Sequence, residues 1–523
     1  MNSIAAIVTG SRTTASTCSS TTRGPFAPAR VAALLALILA GLGLRILAAG
    51  QSLFGDELFS FEIVSATGPG GVIAGVERTE NTPPLFYLLS WITARLGDPT
   101  VWLRAPSVIA GAATVPVVYL LAARAGGRIA GIAAAAAFAI APFAVFYGSE
   151  ARAYALVAFL ASVSTVTMLI ALDRDRRWWA AFWFAAVGAL YSHLLAAIVL
   201  AVQACWALSS RRDRWREVAV VNLAVAVAFL PWLFRVGDNQ QAVRLAEPLF
   251  ASSGEAIGRE TLKALLGNPF AELEAVPGTA GLIALGAAAG LAVAGLAAAT
   301  RDRRSPREPL RRAGSGQGLG LLALLASATP LALIAYGIVD GALYTARNLF
   351  VSLPYAIALV AALIVRLPRP FAAGAGALAL TGIVLGAARS LEAESHRPDL
   401  RTAGELVVAR GSPHDPVLER PLFSATPELR RGLVIYLPAG LTVDQRLEES
   451  PAWSRDGRLF VVVPSVAPAI EVVDQAAVRY DASLRAEEEL PGLVPIAVRT
   501  YSTVASAGRR EPARGAPALG EAG

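Results

Sequence analysis

Two adjacent carboxylates, Asp56 and Glu57, follow the first long apolar run of the chain, residues 31–49, by a few residues. Ionisable groups are costly at a membrane edge, so those found there usually bind a ligand or react. The same loop holds Glu80 and Asn81, directly before a Thr-Pro-Pro sequence. We expect a reactive site at the membrane surface, with Asp56 and Glu57 as its catalytic residues. Asp56 is the base and Glu57 tunes or orients it, while Glu80 and Asn81 line the site.

Several cationic and aromatic residues fall at the ends of later apolar runs. Positive charge on the outer side of a membrane runs against the usual topological bias, so we expect at least one of these arginines to bind phosphate. Arg347 is the first choice, with Arg45 and Arg152 beside it. The other candidates for the lining of the site are Arg104, Glu150, Tyr154 and His193.

Each candidate also has a structural interpretation. Asp56 is placed to cap a short helix over residues 58–64, because an aspartate near a helix N-terminus is stabilised by the helix dipole. Arginines near span ends reach the interface along their aliphatic stems, and Tyr154 suits an aromatic belt. The two prolines after Thr82 fit the first turn of a helix, and His193 fits a tight polar turn.

The set of residue types suits glycosyl transfer from a lipid-linked donor. A carboxylate must take the proton of the acceptor hydroxyl as its oxygen attacks the anomeric carbon. A cation must offset the charge that grows on the departing phosphate. Both must lie at the lipid–water boundary, since a polyprenyl chain stays in the membrane.

The elements that must position these residues are membrane helices. The chain has 523 residues, of which 55% are hydrophobic and 16% charged, and a mean hydropathy of +0.54. Apolar runs of roughly 17–25 residues predict transmembrane helices. About eleven are expected, near residues 31–49, 104–122, 128–146, 154–172, 178–190, 194–210, 216–234, 279–299, 319–339, 348–365 and 371–388.

Arginine placement predicts the orientation of these spans. With the N-terminus inside, the inner loops near residues 124–128, 173–177, 211–216, 301–312 and 366–369 are short and basic, as the positive-inside rule requires. The alternation holds if residues 84–96 lie on the outer face without spanning. All the outer candidates then share one side. The formal net charge of +7 is accounted for by these loops, so no nucleic-acid partner is expected.

The predicted fold is an all-α polytopic membrane protein with a small C-terminal exported α/β domain. We divide it into a polar leader, a transmembrane domain with two outer loops, the exported domain, and a disordered tail. The boundaries are 1–30, 31–389 with loops 50–103 and 235–278, 390–505, and 506–523. In the exported domain, a helix is expected at 399–410 and strands near 416–418, 432–437 and 459–463.

Other chemistries have weak signals. No glycine-rich loop followed by Lys and Ser or Thr indicates a nucleotide, and no His or Cys cluster has zinc spacing. Cys18 and Cys205 predict no structural disulfide. A transporter or flippase of lipid-linked sugars stays an alternative, although it favours internal repeats and broken mid-membrane helices. A non-catalytic membrane scaffold would leave the clustered acids unexplained.

Short sequences in a fixed order resemble the GT-C glycosyltransferases, most of all bacterial relatives of protein O-mannosyltransferases and aminoarabinose transferases. The resemblance covers residues 31–390, and its specific part ends near Leu172. It lies in Asp56-Glu57, Thr82-Pro83-Pro84-Leu85, Leu103-Arg104-Ala105-Pro106-Ser107, Tyr147-Gly148-Ser149-Glu150-Ala151-Arg152 with Tyr154, and Arg347.

The resemblance implies a polyprenyl-phosphate sugar as donor, transfer on the exported side of a bacterial plasma membrane, and Asp56 as catalytic base. It also places Glu150 and Arg152 near the site and implies no cofactor or bound metal, although the carboxylate-rich loop leaves a divalent cation as an alternative. Many members carry His or Lys just before the Pro-Pro pair, where this chain has Asn81-Thr82. Arg45 or Arg347 would replace that residue, and the acceptor is a lipid, a glycan or a protein.

Overall fold

The protein is represented by a computed structural model that describes residues 28–80, 82–235, 253–301, 316–339, 343–422 and 431–504. Its contacts divide the chain into two compact units. The first unit takes the described residues up to Gln51 and those from Asp56 to His396. The second takes Ser52–Gly55 and the described residues from Arg397 onward. The predicted leader lies almost wholly, and the predicted tail wholly, outside the described residues.

The first unit is helical. Its α-helices are α1 (Pro28–Ala49), α2 (Glu57–Val64), α3 (Pro69–Thr79), α4 (Leu85–Thr93), α5 (Pro99–Trp102), α6 (Ala105–Gly126), α7 (Arg128–Ile140), α8 (Pro142–Tyr147), α9 (Tyr154–Asp173), α10 (Trp178–Ser192), α11 (Ala196–Ser210), α12 (Trp215–Leu233), α13 (Gly254–Leu266), α14 (Thr279–Arg301), α15 (Gly316–Val339), α16 (Leu353–Ile364) and α17 (Arg369–Arg389). A 3₁₀ helix, Ala346–Ser352, leads into α16.

Long apolar helices make this a multi-pass membrane protein. Among the described residues, eight stretches are long and apolar enough to cross a membrane. Each of the eleven predicted apolar segments is helical, but α7, α10 and α11 are shorter than a full span. The predicted number of spans therefore stays a prediction. Helix α4 has nine residues, about 14 Å of helix, and is too short to span, as the sequence predicted for residues 84–96.

At the break between α7 and α8, backbone carbonyls accept hydrogen bonds from an arginine of α1. Pro142 has no N–H, so the carbonyl of Phe138 four residues earlier has no helical partner. The Arg45 side chain, which is 0% exposed, reaches this break. Its guanidinium donates to four backbone carbonyls, those of Gly41, Phe138, Ala139 and Ala144, at 2.8 to 3.4 Å. Arg45 is thus a buried cap for a broken membrane helix.

A polar network inside the bundle fixes the helices on which the candidate site is built. Gln203 of α11 donates to Thr165 of α9 at 2.7 Å, and Thr165 is hydrogen-bonded to the Tyr355 hydroxyl of α16 at 2.9 Å. Hydrogen bonds between membrane helices are worth about 1 kcal/mol each and set their register. Helix α9 begins at Tyr154 and α16 follows the Arg347 segment, so the network positions both.

The second unit is a small α/β domain with two helices, α18 (Leu400–Arg410) and α19 (Ala467–Arg479). Its sheet has the order β2-β1-β3-β5-β4, in which β1 pairs parallel with β2 and β3, and the remaining pairs are antiparallel. The strands are β1 (Val417–Glu419), β2 (Val443–Asp444), β3 (Gly457–Pro464), β4 (Ser483–Leu490) and β5 (Ile496–Thr503).

Hydrophobic burial on both faces of β3 explains this sheet. Leu459, Val461 and Val463 pack on one face against α19, while Phe460 and Val462 pack on the other with Leu400 and Val407 of α18. Asp399 caps α18 by accepting from the Thr402 N–H at 3.0 Å. Within the same unit, Leu53 donates its N–H to the Tyr436 hydroxyl at 2.7 Å.

The sequence located only part of this domain. The helix predicted at 399–410 and the strands predicted near 416–418 and 459–463 are confirmed. The strand predicted over 432–437 is wrong, since residues 434–436 form a 3₁₀ turn. Helix α19 and strands β4 and β5 were not predicted. The exposed strand β4, with Glu487, Glu488 and Glu489 in succession, has too little apolar alternation to be recognised.

Candidate active site

Asp56 and Arg347 form the ion pair at the centre of the candidate site. Asp56 lies directly before α2, and Arg347 lies 291 residues later in the 3₁₀ helix that leads into α16. The Arg347 guanidinium donates to Asp56 Oδ2. The two side chains keep 33% and 25% of their exposure, so a ligand can reach them. The sequence predicted both residues, and the fold brings them together.

The charge of Asp56 is set by its surroundings. Burial acts to raise the pKa of its carboxyl, while the positive charges of Arg347 and Arg152 act to lower it, and the net shift is downward. Opposite charges within a few ångströms favour the ionised form in this way. Asp56 is therefore a carboxylate near neutral pH, as a proton acceptor must be.

Glu57 does different work from its neighbour. Its carboxylate is 0% exposed and accepts from Arg104 Nε at 2.7 Å and Nη2 at 2.5 Å. The Ala151 N–H donates to the same carboxylate at 2.7 Å, and Arg104 also donates to the Ala49 carbonyl at 2.8 Å. Glu57 and Arg104 thus join the end of α1, the start of α2, the corner before α6 and the turn before α9. Arg104 was predicted to line the site, but the structure places it in a fully buried ion pair with Glu57.

Arg152 is paired with Glu80 in bidentate geometry. Its two terminal nitrogens lie 2.5 and 2.9 Å from the two Glu80 oxygens, and its guanidinium carbon is 6.0 Å from the Tyr87 ring centre. The turn that carries Arg152 is fixed from two sides, because Ser60 donates to the Ala151 carbonyl and Ser107 to the Arg152 carbonyl. Arg152 therefore contributes positive charge near Asp56, while its two terminal nitrogens donate to the Glu80 carboxylate.

An aromatic wall lies beside these ion pairs. The Tyr147 ring centre is 5.2 Å from that of Tyr154 and 5.6 Å from that of Phe350, and the His193 ring centre is 5.7 Å from that of Tyr154. Glu150 is 5% exposed and lies within electrostatic reach of Tyr147 and Tyr154. Sequence reasoning missed Tyr147 and Tyr87 as site residues, although Tyr147 opens the motif that contains Glu150 and Arg152.

His193 is held as a neutral ring. Burial and the charges of Arg152 and Arg347 lower its pKa to about 3. The Leu195 N–H donates to His193 Nδ1 at 3.2 Å, so the ring proton is on Nε2. The structure therefore gives His193 a fixed N–H donor, not a group that gains and loses a proton near neutral pH.

One of the predicted residues, Arg45, does not join this cluster. Arg45 is directed at the carbonyls of the α7–α8 break, and its Nε would lie 2.4 Å from a Cβ added to Gly148. This placement argues against the predicted phosphate-binding role of Arg45. Asn81 lies outside the described residues. Among the described residues, no group of three or more His, Cys, Asp or Glu side chains could hold a metal ion, and the expectation of no cofactor stays a prediction.

Comparisons with known proteins concern the family and the fold. Residues 81–234, less than half of the chain, match the family described as dolichyl-phosphate-mannose-protein mannosyltransferase. No curated protein matches the chain at a significant level. The fold is similar to the crystal structure of ArnT from Cupriavidus metallidurans in the apo state, with a TM-score of 0.51, 13% identity, and coverage of 90% of this chain and 98% of that chain.

Two further solved structures are similar to this chain at lower TM-scores. ArnT from the same organism bound to undecaprenyl phosphate has a TM-score of 0.49 and 15% identity, with coverage of 90% of this chain and 97% of that chain. The Archaeoglobus fulgidus oligosaccharyltransferase tethered with an acceptor peptide has a TM-score of 0.48 and 15% identity, with coverage of 86% and 68%. The likeness to apo ArnT confirms the predicted GT-C fold.

Proposed function

We propose that this membrane protein with the GT-C fold is a glycosyltransferase that moves a hexosyl or pentosyl group from a polyprenyl-phosphate donor to an acceptor on the extracytoplasmic face of a bacterial plasma membrane. The observation that carries the proposal is the partly exposed Asp56–Arg347 pair beside Tyr147 and Tyr154. The sequence match to a family described by a dolichyl-phosphate sugar supports the donor class. The arginine distribution of the loops supports the side.

The reaction is a single displacement at the anomeric carbon. The Asp56 carboxylate takes the proton of the acceptor hydroxyl while the acceptor oxygen forms a bond to that carbon. The bond between the carbon and the phosphate oxygen breaks, and its electron pair leaves with the polyprenyl phosphate. Arg347 offsets the added negative charge on this phosphate, because its planar guanidinium presents several donors to an oxyanion. One displacement inverts the anomeric configuration.

The neighbouring residues hold this geometry. Arg152 is engaged bidentately by Glu80 and adds positive potential near Asp56, while the partly exposed Arg347 meets the phosphate and shares its guanidinium with Asp56. The Tyr147 and Tyr154 rings pack edge to face beside the ion pair, and the His193 Nε2–H is a donor for a sugar hydroxyl. Glu57 and Arg104 fix the backbone on both sides of the site.

The test uses the purified full-length protein and a panel of radiolabelled polyprenyl-phosphate sugars. Wild type is compared with Asp56→Asn and with Glu62→Gln, a matched removal of an exposed carboxylate on α2. Sugar transfer or release by wild type and Glu62→Gln, with loss in Asp56→Asn, supports the proposal. Equal activity in Asp56→Asn removes Asp56 from the mechanism. Movement of intact donor across a bilayer, without cleavage, would favour the flippase alternative.

A further inference from the structure

The segment that carries Arg347 is held by α13. Glu260 Oε2 accepts a hydrogen bond from the Ala346 N–H at 2.8 Å. One residue further along α13, the Thr261 hydroxyl is hydrogen-bonded to the Tyr344 hydroxyl at 2.7 Å. Two consecutive residues of α13 therefore form hydrogen bonds to the Ala346 backbone and the Tyr344 side chain, just before Arg347.

The contact from Glu260 does the work of a helix cap. The 3₁₀ helix begins at Ala346, and the first N–H groups of a helix have no partner within it. Thr345 stands at the capping position in an extended conformation, but its side chain makes no capping hydrogen bond among the described residues. The acceptor for the Ala346 N–H comes instead from Glu260, 86 residues away in the sequence.

This cap acts one residue from Arg347. A hydrogen bond from a backbone N–H to a carboxylate is stronger than one between neutral groups. Loss of the carboxylate would leave the start of the 3₁₀ helix free to move, and the Arg347 backbone would move with it. A displacement of about 1 Å is enough to spoil a charge-assisted contact between a guanidinium and an oxyanion.

We propose that Glu260 is a positioning residue for Arg347, fixing the guanidinium where it meets the phosphate of the lipid-linked donor. The inference rests on the proposed function, since it assigns the phosphate contact to Arg347. Glu260 itself touches no substrate. It acts through the Ala346 N–H, and Thr261 supports it through Tyr344.

The test is equilibrium binding of undecaprenyl phosphate to the purified full-length protein in detergent. Glu260→Ala is expected to weaken binding roughly tenfold, as loss of a hydrogen bond to a charged group does. Glu260→Gln keeps an oxygen that accepts the N–H and is expected to stay within about twofold of wild type. Glu255→Ala is the matched control, because Glu255 is an exposed glutamate in the first turn of the same helix.

A double-mutant cycle separates positioning from general loss of structure. Arg347→Ala alone should weaken binding, and Glu260→Ala added to it should weaken binding no further, because Glu260 acts only through Arg347. If Arg347→Ala leaves binding unchanged, the proposed function is wrong. If Arg347→Ala weakens binding but Glu260→Ala does not, or if their effects add, the positioning role is wrong. Failure of Glu260→Gln to restore binding also contradicts it.

Discussion

Asp56 and Arg347 are coupled, since the carboxylate proposed to accept the proton and the cation proposed to hold the phosphate are already ion-paired. A bound phosphate must share the Arg347 guanidinium with Asp56. It must also lie near the Asp56 carboxylate, which carries a charge of the same sign. Linkage makes this effect reciprocal: the donor and the Asp56 charge weaken each other's hold on Arg347. We therefore expect Asp56, the proposed base, to lower the affinity for the lipid phosphate.

This coupling predicts opposite effects of one substitution. Asp56→Asn should reduce turnover by roughly 10²–10⁴-fold, the usual contribution of a general base. It should also tighten binding of undecaprenyl phosphate by about fivefold or more, because Arg347 loses its competing partner. Equilibrium binding beside single-turnover assays measures both quantities. Weaker binding of undecaprenyl phosphate by Asp56→Asn would contradict the shared-arginine arrangement.

The pKa shifts predict a flat pH profile. The pKa of Asp56 lies below its usual value and that of His193 is lowered to about 3, so both groups keep one protonation state from about pH 5 to about pH 8. Activity that requires ionised Asp56 is lost only as the pH falls through its lowered pKa. We expect kcat/KM to vary little over that range, and His193→Gln to leave the profile flat. A limb near pH 6.5 that disappears in His193→Gln would refute the neutral assignment.

At the scale of elements, the joint between Glu57 and Arg104 fixes four chain segments with two side chains that are 0% exposed. Removal of one partner leaves a buried charge without compensation, which costs about 3–5 kcal/mol. We expect Arg104→Met to lower the thermal stability of the purified protein by this amount. Glu57→Gln combined with Arg104→Met should recover part of the loss. Equal stability of Arg104→Met and wild type would show that the joint is not structural.

The break between α7 and α8 gives a second prediction at this scale. Arg45→Leu removes the donor that serves the Phe138, Ala139 and Ala144 carbonyls, and Phe138 has no helical N–H to replace it, at a cost of about 3 kcal/mol. We expect a lower melting temperature, with unchanged affinity of the folded fraction for undecaprenyl phosphate. Wild-type stability together with weaker phosphate binding would restore the phosphate role predicted from the sequence.

The different placements of Arg45 and Arg347 show which features the sequence could not predict. Hydropathy located the helices that contain Arg45 and precede Arg347, because membrane spans are set by composition over a long window. The same reasoning assigned both arginines to phosphate. Which carbonyl or carboxylate a guanidinium meets depends on contacts 94 to 291 residues apart, and spacing along the chain carries no signal for these.

At the scale of the whole molecule, the same contrast separates the two units. In the membrane unit, the long apolar helices and the short helix within residues 84–96 were predicted, because charge bias and apolar length act over the entire chain, but α3 and α13 were not. In the small α/β unit, the buried strand β3 was predicted from its apolar run. Strands β4 and β5 were missed, because β4 is an exposed edge and β5 alternates weakly. Cross-strand pairing with β3 gives these segments their structure.

The two units are also expected to respond differently to pH, through Glu419 at the end of β1. This carboxyl is 2% exposed, and burial raises its pKa to about 7, opposed by hydrogen bonds from the Leu433 N–H and Gln445. The folded state therefore binds a proton that the unfolded state releases at lower pH, so the stability of the α/β unit falls as the pH rises from about 4.5 to about 7. The loss amounts to about 3 kcal/mol above that range.

Glu419→Gln removes this titration while its amide oxygen still accepts from Leu433. We expect the variant to protect the backbone amides of β1 and β3 better than wild type at about pH 8, and about equally at about pH 5. Hydrogen exchange on the full-length protein measures this, with Glu405→Gln on α18 as an exposed control. Asp56 in the membrane unit has a lowered pKa and stays ionised at both pH values, so it contributes no such titration between the two conditions. Equal protection of β1 and β3 in Glu419→Gln and wild type at the higher pH would mean that Glu419 ionises without cost to the domain.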